Sequence, residues 1–121
     1  MPELYHYKAT IIRVIDGDSV EVTVNLGFRI AFQQTVRVYA INAPETRSSD
    51  KLEKDRGLAA MWFAIGLLPI GSSVHIKSHK PDDKDKFGRW LAEITLPDGT
   101  DFATRMLEAG HAKPYFGGSR A

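Results

Sequence analysis

Carboxylate, amide and guanidinium groups are concentrated in three short stretches of the sequence: residues 14–20 (VIDGDSV), 35–46 (TVRVYAINAPET) and 85–90 (DKFGRW). Hydrolysis of a phosphodiester without cysteine requires oxygen ligands for a hard cation, a base for water, and cations for the charge that develops on phosphorus. The three stretches contain groups of each kind. We therefore consider them together as one candidate site.

Oxygen ligands and a base are available in the first two stretches. Asp18 and Asn42 offer side-chain oxygens, and the main-chain carbonyl of Ala43 is a possible third ligand. Glu45 could orient or deprotonate a water molecule. Arg37 and Arg89 could hold a phosphate, because a guanidinium matches two phosphate oxygens and keeps its charge at any working pH.

Each of these groups, taken alone, is ordinary. Asp18 by itself is a turn carboxylate, Arg89 is an arginine at the end of a hairpin, and Pro44 flanked by polar residues is a solvated turn. Only the combination of the three stretches indicates a catalytic site.

The second stretch predicts a strand followed by a turn. Val36, Val38 and Tyr39 are strand formers, and the apolar run over residues 36–41 is typical of a strand buried on both faces. Pro44 removes a hydrogen-bond donor and disfavours helix before it. We expect residues 42–46 to form an exposed turn that carries polar groups at the rim of a rigid strand.

The first stretch predicts a hairpin. Two β-branched runs, residues 8–15 and 19–25, flank Asp16-Gly17-Asp18, and Gly17 would supply the positive φ of the turn. Residues 28–34 are read either as an extension of a strand or as a long loop.

A helix is predicted from Asp50 to Pro69, since Asp50 followed by Glu53 is a typical helix start. Trp62 and Phe63 are predicted to be core residues. The predicted apolar face of this helix consists of Leu58, Trp62 and Ile65.

The sequence after the first helix predicts further strands and a second helix, which complete the fold prediction. Strands are expected over residues 74–77 and 90–96, and a second helix over residues 102–108 with Gly110 as its left-handed cap. About five short strands with interspersed helices predict a mostly β fold with helices (α+β), a five-stranded OB-fold barrel with two or three helices. We expect one domain over residues 1–116 and a mobile tail over residues 117–121.

Composition narrows the class of protein. The 121 residues are 43% hydrophobic and 26% charged, as in an ordinary globular domain, and the absence of cysteine excludes disulfides and thiolate metal sites. A net charge of +1 means that affinity for nucleic acid would have to come from local clusters of cations. The apolar run at residues 58–68 is too short to span a membrane. The N-terminus lacks a signal-peptide pattern, so we expect a cytoplasmic protein by default, or a secreted one if a leader was removed.

The motifs DGDS, RVYAINAPET and DKFGR resemble, in order and spacing, the signature of the staphylococcal nuclease (thermonuclease) family. The resemblance covers residues 8–113. It implies a five-stranded OB-fold barrel and a monomeric, Ca²⁺-dependent endonuclease that cuts DNA and RNA to leave 3′-phosphates.

The resemblance also implies residue roles. It makes Arg37, Glu45 and Arg89 catalytic, with Glu45 as the general base, and it makes Asp18, Asn42 and Ala43 the metal ligands. The supporting or substrate-binding residues would be Asp16, Lys86, Phe87, Tyr115 and Phe116, the last two as a base-stacking surface.

Three readings of the site are open, and one departure from the family's pattern bears on them. Asn42 stands where the family usually has a carboxylate, so Ca²⁺ should bind more weakly. The leading hypothesis is a metal-dependent nuclease that is largely indifferent to sequence. The alternatives are a module that binds single-stranded nucleic acid without cutting it, and an interaction domain with no role in nucleic-acid metabolism.

Overall fold

The computed structural model describes residues 5–79 and 90–115. Its main feature is a closed barrel of five strands in the order β1-β2-β3-β6-β5, with a separate two-stranded sheet of β4 and β7. The strands are β1 (His6–Asp16), β2 (Ser19–Gly27), β3 (Ile30–Val38), β4 (Ile41–Asn42), β5 (Ser73–Ser78), β6 (Trp90–Thr95) and β7 (Lys113–Pro114). The helices are α1 (Lys51–Leu67) and α2 (Phe102–Glu108). The predicted fold class, an α+β barrel of the OB type, is confirmed.

The barrel is built from a meander that closes through one parallel pair. β1 pairs with β2 and β2 with β3 in antiparallel register, and β3 then runs parallel to β6, with Val36 opposite Trp90. Along β2, Val20, Val22 and Val24 are buried because alternate residues of a strand face the interior. The period-2 pattern of the sequence therefore sets which face of β2 forms the core.

Residues 28–34, for which two readings were open, belong mostly to β3. A tight turn at Phe28 and Arg29, both with positive φ (53° and 62°), joins β2 to β3. Phe28 is 98% exposed at this hairpin tip.

The expected continuous strand over residues 36–41 is wrong. β3 ends at Val38, and Ala40 adopts a left-handed φ of 72°. Ile41 and Asn42 then form β4, which pairs with Pro114 and Lys113 of β7. The apolar run is continuous in sequence because both segments are packed in the interior, but the backbone reverses between them.

Helix α1 begins as predicted but buries a different face. Asp50 caps its N-terminus by accepting a hydrogen bond from the main-chain N–H of Leu52 at 3.1 Å. Its buried residues are small: Gly57, Ala60 and Ala64. Trp62 is 64% exposed, so its prediction as a core residue is wrong, whereas Phe63 is partly buried against the core.

Gly17 has a role other than the predicted one. Its φ is not positive. A Cβ at this position would lie 3.0 Å from the Cβ of Ala43 and 3.1 Å from the Cβ of Ala60. Glycine is therefore favoured because the β1–β2 turn packs tightly against α1 and the segment after β4.

The second helix agrees with its prediction. Asp101 caps α2 by accepting a hydrogen bond from the N–H of Thr104, and Gly110 follows the helix with φ of 77°. Among the described residues, no helix is both long and apolar enough to cross a membrane.

Candidate functional site

Arg37, near the end of β3, is a buried cation held mainly by main-chain oxygens. Its Nη1 donates to the carbonyls of Val38 at 2.9 Å and Ile41 at 2.7 Å, and only 7% of the residue is exposed. These two carbonyls lie near each other because the chain reverses at Ala40. The turn that ends β3 therefore fixes the orientation of the guanidinium.

Asp18, in the turn before β2, ties three segments together. Its Oδ2 accepts a hydrogen bond from the main-chain N–H of Ala43 at 2.8 Å and lies 3.7 Å from Nη2 of Arg37. Its main-chain carbonyl accepts from the N–H of Val38 at 2.9 Å. The carboxylate is 5% exposed, so its charge is balanced by Arg37 in a largely water-free setting.

Asn42 and Ala43 complete this cluster. Oδ1 of Asn42 accepts a hydrogen bond from Nη2 of Arg37 at 3.3 Å. The expectation of an exposed turn over residues 42–46 is wrong for Ala43, which is 3% exposed because its N–H is tied to Asp18 and its methyl packs near Gly17. The structure thus brings together Asp18, Arg37, Asn42 and Ala43.

Tyr115, just after β7, lies over the guanidinium of Arg37. The N–H of Tyr115 donates to the carbonyl of Ala40 at 2.8 Å, next to the pairing of β7 with β4. The ring of Tyr115 then lies with its centroid 5.6 Å from Cζ of Arg37, within the range of a cation–π interaction. Of the two aromatics predicted to stack on bases, Tyr115 is therefore part of the cluster.

Glu45 lies on the solvent side of the same segment, two residues after Ala43. Its main chain is packed against α1, since a Cβ on Gly57 would lie 2.6 Å from its carbonyl carbon and oxygen. The next residue, Thr46, donates from its N–H and hydroxyl to Oδ1 of Asp16, at 3.2 and 2.7 Å. Asp16, expected to support Asp18, thus anchors the segment that carries Glu45.

The remaining predicted site residues are Lys86, Phe87, Arg89 and Phe116, and they lie outside the described residues. Their participation remains a prediction from the resemblance of the motifs.

The oxygen atoms predicted to bind a metal are of the kinds that hard divalent cations prefer. They comprise one carboxylate from Asp18, one amide oxygen from Asn42 and one main-chain carbonyl from Ala43, and hard divalent cations favour such oxygens. Within residues 5–79 and 90–115, there is no group of three or more acidic, histidine or cysteine side chains that could hold a metal. The predicted donor set therefore carries a single carboxylate, and that carboxylate faces the guanidinium of Arg37.

A cavity that the sequence did not predict adjoins this cluster. It has a volume of about 590 Å³ and lies between the first turns of α1, the segment 42–44 and the segment 110–113. Its charged lining residues are Asp50, Glu53, Arg56 and Lys113. No local pattern could have revealed it, because residues 110–113 of its wall are more than fifty positions away from its other lining residues.

A closed five-stranded barrel with a buried arginine, a carboxylate and an amide at the end of its third strand defines an OB-fold protein with a polar site at the barrel rim. The chain belongs to the family of staphylococcal nuclease homologues, whose family model matches residues 35–120.

Individual relatives agree with this family. The chain is 26% identical over 115 residues to endonuclease YhcR of Bacillus subtilis, covering 91% of this chain and 9% of that protein. It is 29% identical over 124 residues to an uncharacterized protein of Methanocaldococcus jannaschii (91% and 60%), and 31% identical over 104 residues to the SPbeta prophage-derived endonuclease YokF of Bacillus subtilis (86% and 33%). The chain thus spans between 9% and 60% of the length of these relatives.

Proposed function

We propose that this protein is a metal-dependent endonuclease that hydrolyses phosphodiester bonds of DNA and RNA and leaves 3′-phosphates. The observation that carries the proposal is the fixed guanidinium of Arg37, held by two main-chain carbonyls beside Asp18 and Asn42. Membership of the nuclease-homologue family, and relatives named endonucleases, support the same conclusion.

Arg37 would neutralise a non-bridging phosphate oxygen. Because its orientation is fixed in advance, little reorganisation would be needed as negative charge grows in the transition state. Nη1 donates to two carbonyls and Nη2 donates to Asn42, so a phosphate would be met by the remaining N–H groups of Nη2 and Nε. The ring of Tyr115 lies over the guanidinium and would have to admit the substrate.

Asp18, Asn42 and the carbonyl of Ala43 would hold Ca²⁺. When bound, the ion would supply positive charge to the phosphate oxygens. Because Asn42 is neutral, we expect saturation only at a high concentration of Ca²⁺.

Glu45 would act as the general base. A water molecule would add to phosphorus, its proton would pass to the carboxylate of Glu45, and the bond from phosphorus to the 5′-oxygen would break. The released 5′-oxygen would take a proton, leaving the phosphate on the 3′-oxygen. The exposure of Glu45 beside the buried cluster is compatible with contact to solvent water, and Arg89 would be the second cation on the phosphate.

The experiment is cleavage of single-stranded DNA over a Ca²⁺ titration, with a chelator control. Glu45→Gln should reduce kcat by about 10²-fold or more, the usual contribution of a general base. The matched control is Glu108→Gln, a neutralisation of an exposed carboxylate at the end of α2, which should leave the rate unchanged. Full activity of Glu45→Gln would refute the role assigned to Glu45.

A second candidate function is binding without cleavage, and the single carboxylate of the donor set favours it. In that case the purified protein would bind an oligonucleotide in a salt-sensitive manner but would not cut it at any Ca²⁺ concentration. The same titration therefore separates the two candidates.

A further inference from the structure

The cavity beside the cluster of Asp18, Arg37, Asn42 and Ala43 is lined by charged groups that have no partner among the described residues. Glu53 is partly buried in its wall, and Arg56 and Lys113 are exposed along it. Within the part of the chain that the structure describes, none of these three side chains makes a hydrogen bond or an ion pair. Asp50, in contrast, already caps α1. The cavity thus offers one free carboxylate and two free cations.

The rest of the wall is largely apolar. It includes Pro44, Leu52, Ala59 and Ala112. A flat aromatic ligand can lie against such a surface while its polar edge reaches the carboxylate. His111 contributes another part of the wall, and its ring is held by Phe63, with the ring centroids 4.9 Å apart.

The cavity has the volume and location of a substrate subsite. Its volume of about 590 Å³ lies within the range of small-molecule sites, roughly 300–1,000 Å³. It is lined by Asn42 and Ala43, two of the residues that would hold the metal. A nucleotide next to the scissile phosphate would therefore reach it without leaving the protein surface.

We propose that this cavity binds the base of the nucleotide adjoining the scissile phosphate, and that Glu53 favours bases with N–H groups on their edges. The inference rests on the proposed nuclease function. A carboxylate only accepts hydrogen bonds, so guanine, which presents neighbouring N–H donors, is the preferred base, followed by cytosine and adenine with their amino groups. Arg56 and Lys113 hold the phosphate of the same nucleotide.

The first test measures base preference. Single-stranded DNA oligonucleotides with one cleavable position are prepared with each base on either side of it, and kcat/KM is measured for each. The wild type should prefer guanine over thymine on one side by about tenfold. Glu53→Gln should lower or reverse this preference, because an amide also donates to the carbonyls of thymine.

The matched control is Asp55→Asn, which changes an exposed carboxylate two residues further along α1 and outside the cavity lining. It should retain the wild-type preference. Thermal melting of each variant shows that the fold is intact. A wild type without base preference, or a Glu53→Gln protein with the wild-type preference, would overturn the role of Glu53.

The second test separates this inference from the proposed function. Binding of a fluorescent oligonucleotide is measured by anisotropy for the wild type, Arg56→Gln and the control Lys54→Gln, a neighbouring exposed cation outside the cavity lining. Arg56→Gln should weaken binding about fivefold or more, and Lys54→Gln should not. If the wild type binds but does not cut, the proposed function fails and the subsite is judged by binding alone; equal affinities of all three proteins overturn it.

Discussion

Arg37 and Asp18 are two buried charged residues of the candidate site. Their charged atoms are 3.7 Å apart, which is long for an ion pair, while two carbonyls accept from Nη1 of Arg37 at 2.7 and 2.9 Å. Carbonyl oxygens compensate the buried guanidinium without cancelling its charge. The shortest contacts of the guanidinium are therefore with neutral oxygens rather than with the carboxylate of Asp18.

At the scale of single residues, Asn42 tests the proposed metal site. Asn42→Asp keeps an oxygen acceptor for Nη2 of Arg37 and adds one negative charge to the donor set. We expect the Ca²⁺ midpoint of cleavage to fall by about tenfold or more, since ligand charge tunes calcium affinity over several decades. The midpoint is read from the titration of cleavage rate against Ca²⁺.

Asn25→Asp is the control for this prediction, because it adds the same charge to an exposed position near the distal end of β2. Its midpoint should equal that of the wild type. An unchanged midpoint in Asn42→Asp would show that Asn42 does not lie beside the metal.

At the scale of elements, the segment after β3 is held from three sides. β7 pairs with β4, Asp16 accepts from Thr46, and the main chain of Glu45 rests on Gly57 of α1. The small residues of α1 allow this close approach of helix and loop. The helix therefore positions the candidate base as well as closing the core.

Alanine substitutions at two glycines of α1 test the contact between this helix and the main chain of Glu45. Gly66→Ala has open space at the Cβ position and should stabilise the protein by about 0.5–1 kcal/mol through helix propensity. Gly57→Ala would place its Cβ 2.6 Å from the carbonyl of Glu45, so we expect a loss of about 1–3 kcal/mol and reduced cleavage. Chemical denaturation measures the free energy of unfolding, and equal stabilisation by both substitutions would contradict the contact.

At the scale of the whole molecule, the net charge of +1 limits general attraction to a polyanion. In the described part of the chain, Arg37 belongs to the candidate site, and Arg56 and Lys113 line the adjoining cavity. Binding should therefore depend on a few local contacts rather than on an extended basic surface.

The salt dependence of binding tests this view. With about three phosphate contacts, log K for a single-stranded oligonucleotide should fall with log salt with a slope of about −2. Arg56→Gln should reduce the magnitude of this slope by about 0.7, whereas Lys77→Gln, on the outer face of β5, should not change it. A wild-type slope steeper than about −5 would mean that many more cations take part.

The sequence alone determined the elements whose signals are local. Alternation over β2, the helix start at Asp50 and the cap at Gly110 all depend on neighbours along the chain, and the structure has each of them in place. Motif order also predicted the barrel and the family. The predictions of strand alternation and helix capping succeeded because both are set by short-range sterics and hydrogen bonding.

The tertiary structure decided the features that depend on distant partners. Trp62 has a helical spacing that suits a core position, but the side of α1 that is buried carries Gly57, Ala60 and Ala64. The break at Ala40 follows from the pairing of β4 with β7, about seventy residues away in the sequence. Because such contacts join segments far apart in the chain, no local pattern specifies them.

The features of the candidate site fall into the same two groups: those that the sequence indicated and those that depend on tertiary packing. The residue types of Asp18, Arg37 and Asn42 indicated what chemistry to look for, and their motifs indicated where. The burial of Ala43, the cover of Tyr115 over Arg37 and the cavity beside them arise only when β7 and α1 pack against the rim of the barrel. Sequence set the chemical groups, and long-range packing set their distances, their exposure and the space left for a ligand.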